Sequence, residues 1–142
     1  MKLIIDTNIL FSYFWKQSFT RNLLMSQDIE LFAPEFALEE INKYKNDIIK
    51  RNKLTIKEFE QTKLDVAIAV KFIPLEEYSK FLKKALKMCP DSNDIDFFAL
   101  SIKLNLPIWS NDSRLKNQKE IEIISTRELI TKPEIIKILD KT

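Results

Sequence analysis

The sequence predicts an α/β fold: a single domain over residues 1–142, three-layered (α/β/α), with a mainly parallel central sheet. Three observations lead there. Short runs of Ile, Leu, Phe and Val alternate with longer segments whose apolar residues recur at helical spacing. Strand–helix–strand order favours parallel strands joined by crossovers, with helices covering both faces of the sheet. The 142 residues are 45% apolar and 31% charged, enough for one hydrophobic core, and no repeat, low-complexity run or linker divides them.

The elements follow in order. KLII is the first strand and runs into Asp6. A helix follows through ILFSYFWK, and another from about Arg21 to Gln27. IELFA is the second strand. PEFALEEINKYKNDIIKR is expected as one long helix with Pro34 in its first turn, where a missing N–H is tolerated. IKEFEQTKLDVAIAV is a helix and KFIP a third short strand. In EEYSKFLKKALKMC, Tyr78, Phe81, Leu82, Ala85, Leu86 and Cys89 recur at helical spacing. DSNDIDFFALSIKLN is a helix, PIWS the fourth strand and EIEIIS the last, ahead of helices in TRELI and PEIIKIL. Ligands of such sheets gather outside the carboxyl ends of the strands, where Asp6 and Asp112 fall.

Composition excludes several chemistries. The chain has no histidine, which removes imidazole acid–base catalysis, Ser-His-Asp triads and histidine zinc sites. It has no glycine, hence no P-loop and no GxGxxG turn. A lone cysteine, Cys89, makes no internal disulfide and suits a reducing cytoplasm. The N-terminus does not read as a signal peptide, and no apolar run reaches the ~20 residues that span a bilayer. A cytoplasmic, non-membrane protein is expected. The net charge of +2 is compatible with nucleic acid without pointing to it. Any chemistry must rest on carboxylates.

Asp6 either caps the next helix or holds a ligand at the sheet edge. In the segment after Pro34, Phe36, Ala37, Leu38, Ile41, Tyr44, Ile48 and Ile49 define an apolar side. At ~100° per residue, Glu39 points away from it and Glu40 falls on its border. A carboxylate there needs a partner, a proton or a metal, so Glu40 either pairs with a lysine or joins a site. After Pro90, Phe98 and Ser101 share the face of Asp94, whereas Asp96 aligns with Lys103 on the opposite face. Asp96 therefore reads as solvent-side, and is kept as an outer candidate because a first turn distorts the wheel. Asp91, Ser92 and Asn93 all suit a helix N-cap, and Asp91 is read as one. If Asp6, Glu40, Asp94 and Asp112 meet, their repulsion calls for a cation, and all-oxygen ligation suits Mg²⁺ or Mn²⁺.

The pieces LIIDTNIL, APEFALEEI and NDIDFFALSIKLNLPIWSND, in this order, resemble the PIN (PilT N-terminus) domain nucleases, including VapC-type toxins of toxin–antitoxin pairs. The resemblance covers essentially the whole chain. It places the family's acids on Asp6, Glu40, Asp94 and Asp112, and the DxD form at Asp94 and Asp96 leaves open which of those two contacts metal. Thr7 and Asn8 fill a supporting role beside Asp6, though Asn8 also suits a helix cap. Ser110 and Asn111 invite the same double reading.

What the resemblance implies is a ribonuclease that holds one or two Mg²⁺ or Mn²⁺ ions and cleaves RNA phosphodiesters with metal-activated water, leaving 5′-phosphate and 3′-hydroxyl ends. It also implies an antitoxin partner, if the chain is a toxin, and a homodimer. Lys43, Lys45 and Arg51, with Arg114 and Lys116 after Asp112, are candidates for phosphate contact, set against an ordinary solvated face. Trp109 is expected in the core. Phe11, Tyr13, Phe14 and Trp15 are expected to pack there too, or to form a dimer surface. The alternative from another class is a catalytically silent PIN-like module that binds RNA or protein. A phosphatase with a nucleophilic aspartate ranks below both, because DTN lacks the second aspartate such enzymes place two residues on.

Overall fold

The computed structural model describes residues 1–16 and 19–141. Strands β1 (Lys2–Ile5), β2 (Glu30–Pro34), β3 (Val70–Ile73), β4 (Ile108–Trp109) and β5 (Ile123–Ile124) form one sheet in the order β3-β2-β1-β4-β5. Every pairing is parallel. Ile4 of the central strand pairs with Phe32 on one side and Ile108 on the other. Leu3, Ile4 and Ile5 are all fully buried, which is why β1 is a continuous apolar run rather than an alternating one.

Between β1 and β2 lie α1 (Thr7–Phe11), a 3₁₀ turn at Ser12–Phe14 and α2 (Phe19–Leu24). Then come α3 (Phe36–Lys43), α4 (Lys45–Asn52) and α5 (Ile56–Ala69) before β3. The return to β4 runs through α6 (Leu75–Tyr78), α7 (Leu82–Met88) and α8 (Ile95–Leu104). A 3₁₀ turn at Ser113–Lys116 joins β4 to β5, and α9 (Thr126–Leu129) and α10 (Pro133–Asp140) follow.

The strand order steps one way from β1 to β3, then crosses back to β4 and β5. Right-handed crossovers therefore put α1–α5 over one face and α6–α8 over the other. Packing agrees. Helix α1 touches α3, and α5 touches the Ser12–Phe14 turn, while α6 and α7 pack on α8, which lies against β1, β2 and β4. The mainly parallel α/β/α expectation holds. None of the described helices is long and apolar enough to cross a membrane.

Three local expectations are corrected. Pro34 does not open a helix; it ends β2 opposite Ile73, past the point where β1 stops pairing at Phe32, so its missing N–H breaks no bond to β1. The long helix after it divides at Tyr44 (φ −100°, ψ 16°), whose ring meets Phe11 edge-on at 6.0 Å. No proline or glycine marks that break. The EEYSKFLKKALKMC helix is likewise divided, by a 3₁₀ turn at Ser79–Phe81. Without glycine, two helix ends use other residues in the left-handed region: Lys53 (φ 51°) after α4 and Asn105 (φ 55°) after α8.

Candidate acidic active site

At the β1–β4 border successive crossovers leave toward opposite faces, which opens a crevice outside the carboxyl ends of these two strands. Asp6 follows β1 directly and is only 6% exposed. It is the N-cap of α1: its Oδ1 accepts the Ile9 N–H at 2.9 Å. Asp6 thus caps the helix and lines the cleft at once, since the capping bond fixes the carboxylate at the strand end. Asn8 lies inside α1 and caps nothing there. Burial pushes the Asp6 carboxyl above its ordinary range, against a hydrogen bond from the Ser110 side chain and the bond from Ile9. The charge of Asp112 adds to the rise.

Strand β4 delivers the facing half. Ser110 is buried, and its Oγ also accepts the Asp112 N–H at 3.0 Å. Asp112 caps the Ser113–Lys116 turn through the Arg114 N–H at 3.0 Å. The Arg114 guanidinium returns to the same carboxylate, with Nε at 3.0 Å from Oδ1 and Nη2 at 2.8 Å from Oδ2. That fork holds Asp112 below the usual carboxylate range. Nη2 also reaches Oδ2 of Asp91 at 3.5 Å.

Asp94 sits at the N-terminus of α8, half-buried between these groups. Asp91, Asp94 and Asp112 bring carboxylate oxygens within 4.8 Å of one another. Burial, followed by the charges of Asp91, Asp6 and Asp112, pushes Asp94 up to about 6, with Arg114 opposing. A cleft of about 900 Å³ spans the group, and Glu40, Thr7, Asn8 and Asn111 also line it.

The raised Asp94 carboxyl makes a stability prediction for the metal-free protein. Its unfolded counterpart ionises near 3.8 and the folded group near 6, so wild type loses stability as pH rises across that window and stays at a deficit above it. Asp94→Asn has no such loss. In urea denaturation with EDTA it should match wild type near pH 4 and be more stable at pH 7.5. The gain should be about 1–2 kcal/mol once discounted for the half-exposed position. Equal stability at both pH values would contradict the crowding of the cluster.

Of the acids read from sequence, the structure brings Asp6, Asp94 and Asp112 together. It sets Glu40 in the same cleft from α3, while Glu39 faces solvent. Asp96 does not join them: its Oδ2 accepts the Tyr78 hydroxyl at 2.5 Å, tying α8 to α6, and it does not line the cleft. Its place two residues past Asp94, roughly 200° round the helix, turns it away. Asp91 is the residue the sequence reading passed over. It does cap, accepting the Asn93 N–H at 3.0 Å, yet it also belongs to the cluster. The signal was its spacing three before Asp94, which puts both on one side of a single turn.

Among the supporting residues, Asn111 has its Oδ1 committed to the Thr126 N–H at 2.8 Å, holding the start of α9. Lys43, Arg51 and Arg114 line the cleft. Lys45 and Lys116 do not. Lys45 pairs with Glu60 at 3.1 Å over the Phe59 ring, and Lys116 pairs with Glu128, each drawn to a nearer acid. Trp109 is fully buried, its Nε1 donating to Thr126 Oγ1 at 2.9 Å. Tyr13 and Phe14 are core residues, whereas Phe11 and Trp15 face the cleft.

A family model described as the PIN domain matches residues 4–131. The chain belongs to the PIN-domain family. PIN domains are generally nucleases, typically dependent on divalent metal. A chain from the crystal structure of VapBC2 from Rickettsia felis, bound to a DNA fragment from its promoter, superposes with a TM-score of 0.59 and 17% identity. The match covers 88% of this chain and 98% of that chain, a likeness of fold. A search of curated protein sequences gives no match.

Proposed function

We propose that this PIN domain is a metal-dependent ribonuclease and the toxin of a toxin–antitoxin pair. The observation that carries the reading is the meeting of Asp91, Asp94 and Asp112, beside buried Asp6 and with Glu40 in the same cleft, at the switch point of the sheet. The donor set suits a hard divalent cation. It offers only oxygen, and its acids crowd closely enough to raise Asp94. Asp6, Asp91, Asp94 and Asp112, with Glu40 completing the set, would hold one or two Mg²⁺ or Mn²⁺ ions. When bound, such an ion supplies Lewis-acid charge to the phosphoryl transition state and lowers the pKa of a water.

The chain's own residues do the positioning. Ile9 N–H and the Ser110 hydroxyl fix the Asp6 carboxylate, so that it need not reorganise when substrate arrives. Arg114 offsets Asp91 and Asp112 in the free protein. Because its side chain is exposed, it can turn toward a phosphate, alongside Lys43 and Arg51 on the same cleft. The antitoxin partner is proposed on the likeness to the VapBC2 chain. A catalytically silent binding module would leave the crowding of buried and half-buried acids without a use.

Product chemistry tests the reaction. RNA cut by the purified protein in Mn²⁺ should carry 5′-phosphate and 3′-hydroxyl ends, read by ligation and end-labelling. Cyclic 2′,3′-phosphate ends would mean attack by the neighbouring 2′-hydroxyl and would overturn the hydrolytic reading.

A further inference from the structure

Asp6, Glu40, Asp91, Asp94 and Asp112 face the cleft, and the ion pairs they make among the described residues both go to one cation, Arg114. Arg114 holds Asp112 in two separable ways. Its backbone N–H bonds Oδ1 at 3.0 Å as part of the Ser113–Lys116 turn, and that bond needs nothing from the side chain. The guanidinium takes Oδ1 through Nε at 3.0 Å and Oδ2 through Nη2 at 2.8 Å, and the same Nη2 reaches Asp91 at 3.5 Å. Most of the roughly four lone-pair positions of the Asp112 carboxylate are thus filled from a single residue. Yet Asp91 and Asp112 are two of the acids whose oxygens converge within 4.8 Å. A divalent ion on those oxygens would share them with a guanidinium, two positive centres on one pair of carboxylates. The Arg114 side chain is 68% exposed against 24% for each acid, and a pair so open to water is held weakly.

We propose that Arg114 is an exchangeable counter-ion: it occupies Asp91 and Asp112 while the cluster is metal-free, releases both on metal loading, and then turns to the RNA phosphate beside them. This rests on the metal-dependent ribonuclease reading and adds an order of events to it. In the metal-free protein the guanidinium offsets the repulsion of the adjoining acids. Asp112 keeps its aim through the exchange, because the backbone N–H of Arg114 stays on Oδ1 when the side chain leaves. The loaded protein gains a guanidinium without a partner, and its planar fork fits a phosphate as well as it fitted the carboxylate. One side chain serves either the acids or the phosphate, so metal and RNA each strengthen the binding of the other.

The test begins without RNA, by calorimetric titration of metal-stripped protein with Mn²⁺. Arg114→Gln should bind the ion about tenfold tighter than wild type, since no guanidinium has to leave. Lys116→Gln removes the same charge from the same turn, but Lys116 pairs with Glu128, and its loss should change the affinity by less than about twofold. Arg114→Lys keeps the charge and loses the fork, and should fall between wild type and Arg114→Gln. Thermal unfolding gives a second readout: Arg114→Gln should melt below wild type in EDTA and gain more from Mn²⁺ than wild type does. With RNA and saturating Mn²⁺, Arg114→Gln should raise KM by about tenfold. Mn²⁺ binding that is equal or weaker in Arg114→Gln, or equally tightened in Lys116→Gln, would overturn the exchange, and an unchanged KM would overturn the transfer to phosphate. Equal Mn²⁺ binding by wild type and Arg114→Gln, with RNA still cut, would defeat the exchange alone. The expected Mn²⁺ shift with RNA never cut would defeat the nuclease and leave the exchange standing, and no Mn²⁺ binding by either protein would defeat both.

Discussion

Asp6→Asn should abolish RNA cleavage, by about a hundredfold or more, in a protein that folds as well as wild type or better. The substitution is nearly isosteric and keeps an oxygen to accept the Ile9 N–H, so the start of α1 stays anchored. What it removes is a charge in a buried place, and the raised Asp6 carboxyl shows that this charge is disfavoured in the free protein. Thermal unfolding in EDTA should therefore show an unchanged or higher midpoint at neutral pH, while activity is lost. Asp96→Asn is the matching control. It disturbs the bond from Tyr78 away from the cleft and should cut RNA at close to the wild-type rate. An Asp6→Asn protein as active as wild type would remove the metal-site assignment.

The second large effect separates two adjacent glutamates. Glu40→Gln should lower cleavage about tenfold or more, because Glu40 is the acid that α3 brings to the cleft. Glu39→Gln should be near neutral in both rate and stability, since its side chain faces solvent on the same helix. Rates of the two variants measured side by side in Mn²⁺ decide it. A severe Glu39→Gln with an unaffected Glu40→Gln would mean that α3 presents its other face to the substrate.

The layered α/β architecture was legible because its cause is local: β1 is apolar without interruption, and apolar residues elsewhere repeat at helical spacing. Glu40 was separable from Glu39 for the same reason, as a rotation about one helix. What the sequence hid depends on contacts between elements. The break at Tyr44 carries no proline or glycine and coincides with the Phe11 ring contact. Lys45 and Lys116 are candidates for phosphate contact in the sequence, but Glu60 and Glu128, distant in the chain, pair with them in the fold. Asp91 looked like a cap because it is one, and only the fold puts it beside Asp112, a residue 21 positions later in the chain. Arg114, a candidate for phosphate contact from its place after Asp112, in the free protein first serves the acids themselves.

The most direct measurement is cleavage of a mixed RNA pool by purified wild type and by Asp94→Asn, each in Mn²⁺ and in Mn²⁺ with excess EDTA. The expected result is cleavage by wild type in Mn²⁺ alone, with neither the EDTA reaction nor Asp94→Asn cutting. Cleavage that persists in EDTA, or equal cleavage by Asp94→Asn, would contradict a metal held by the acidic cluster.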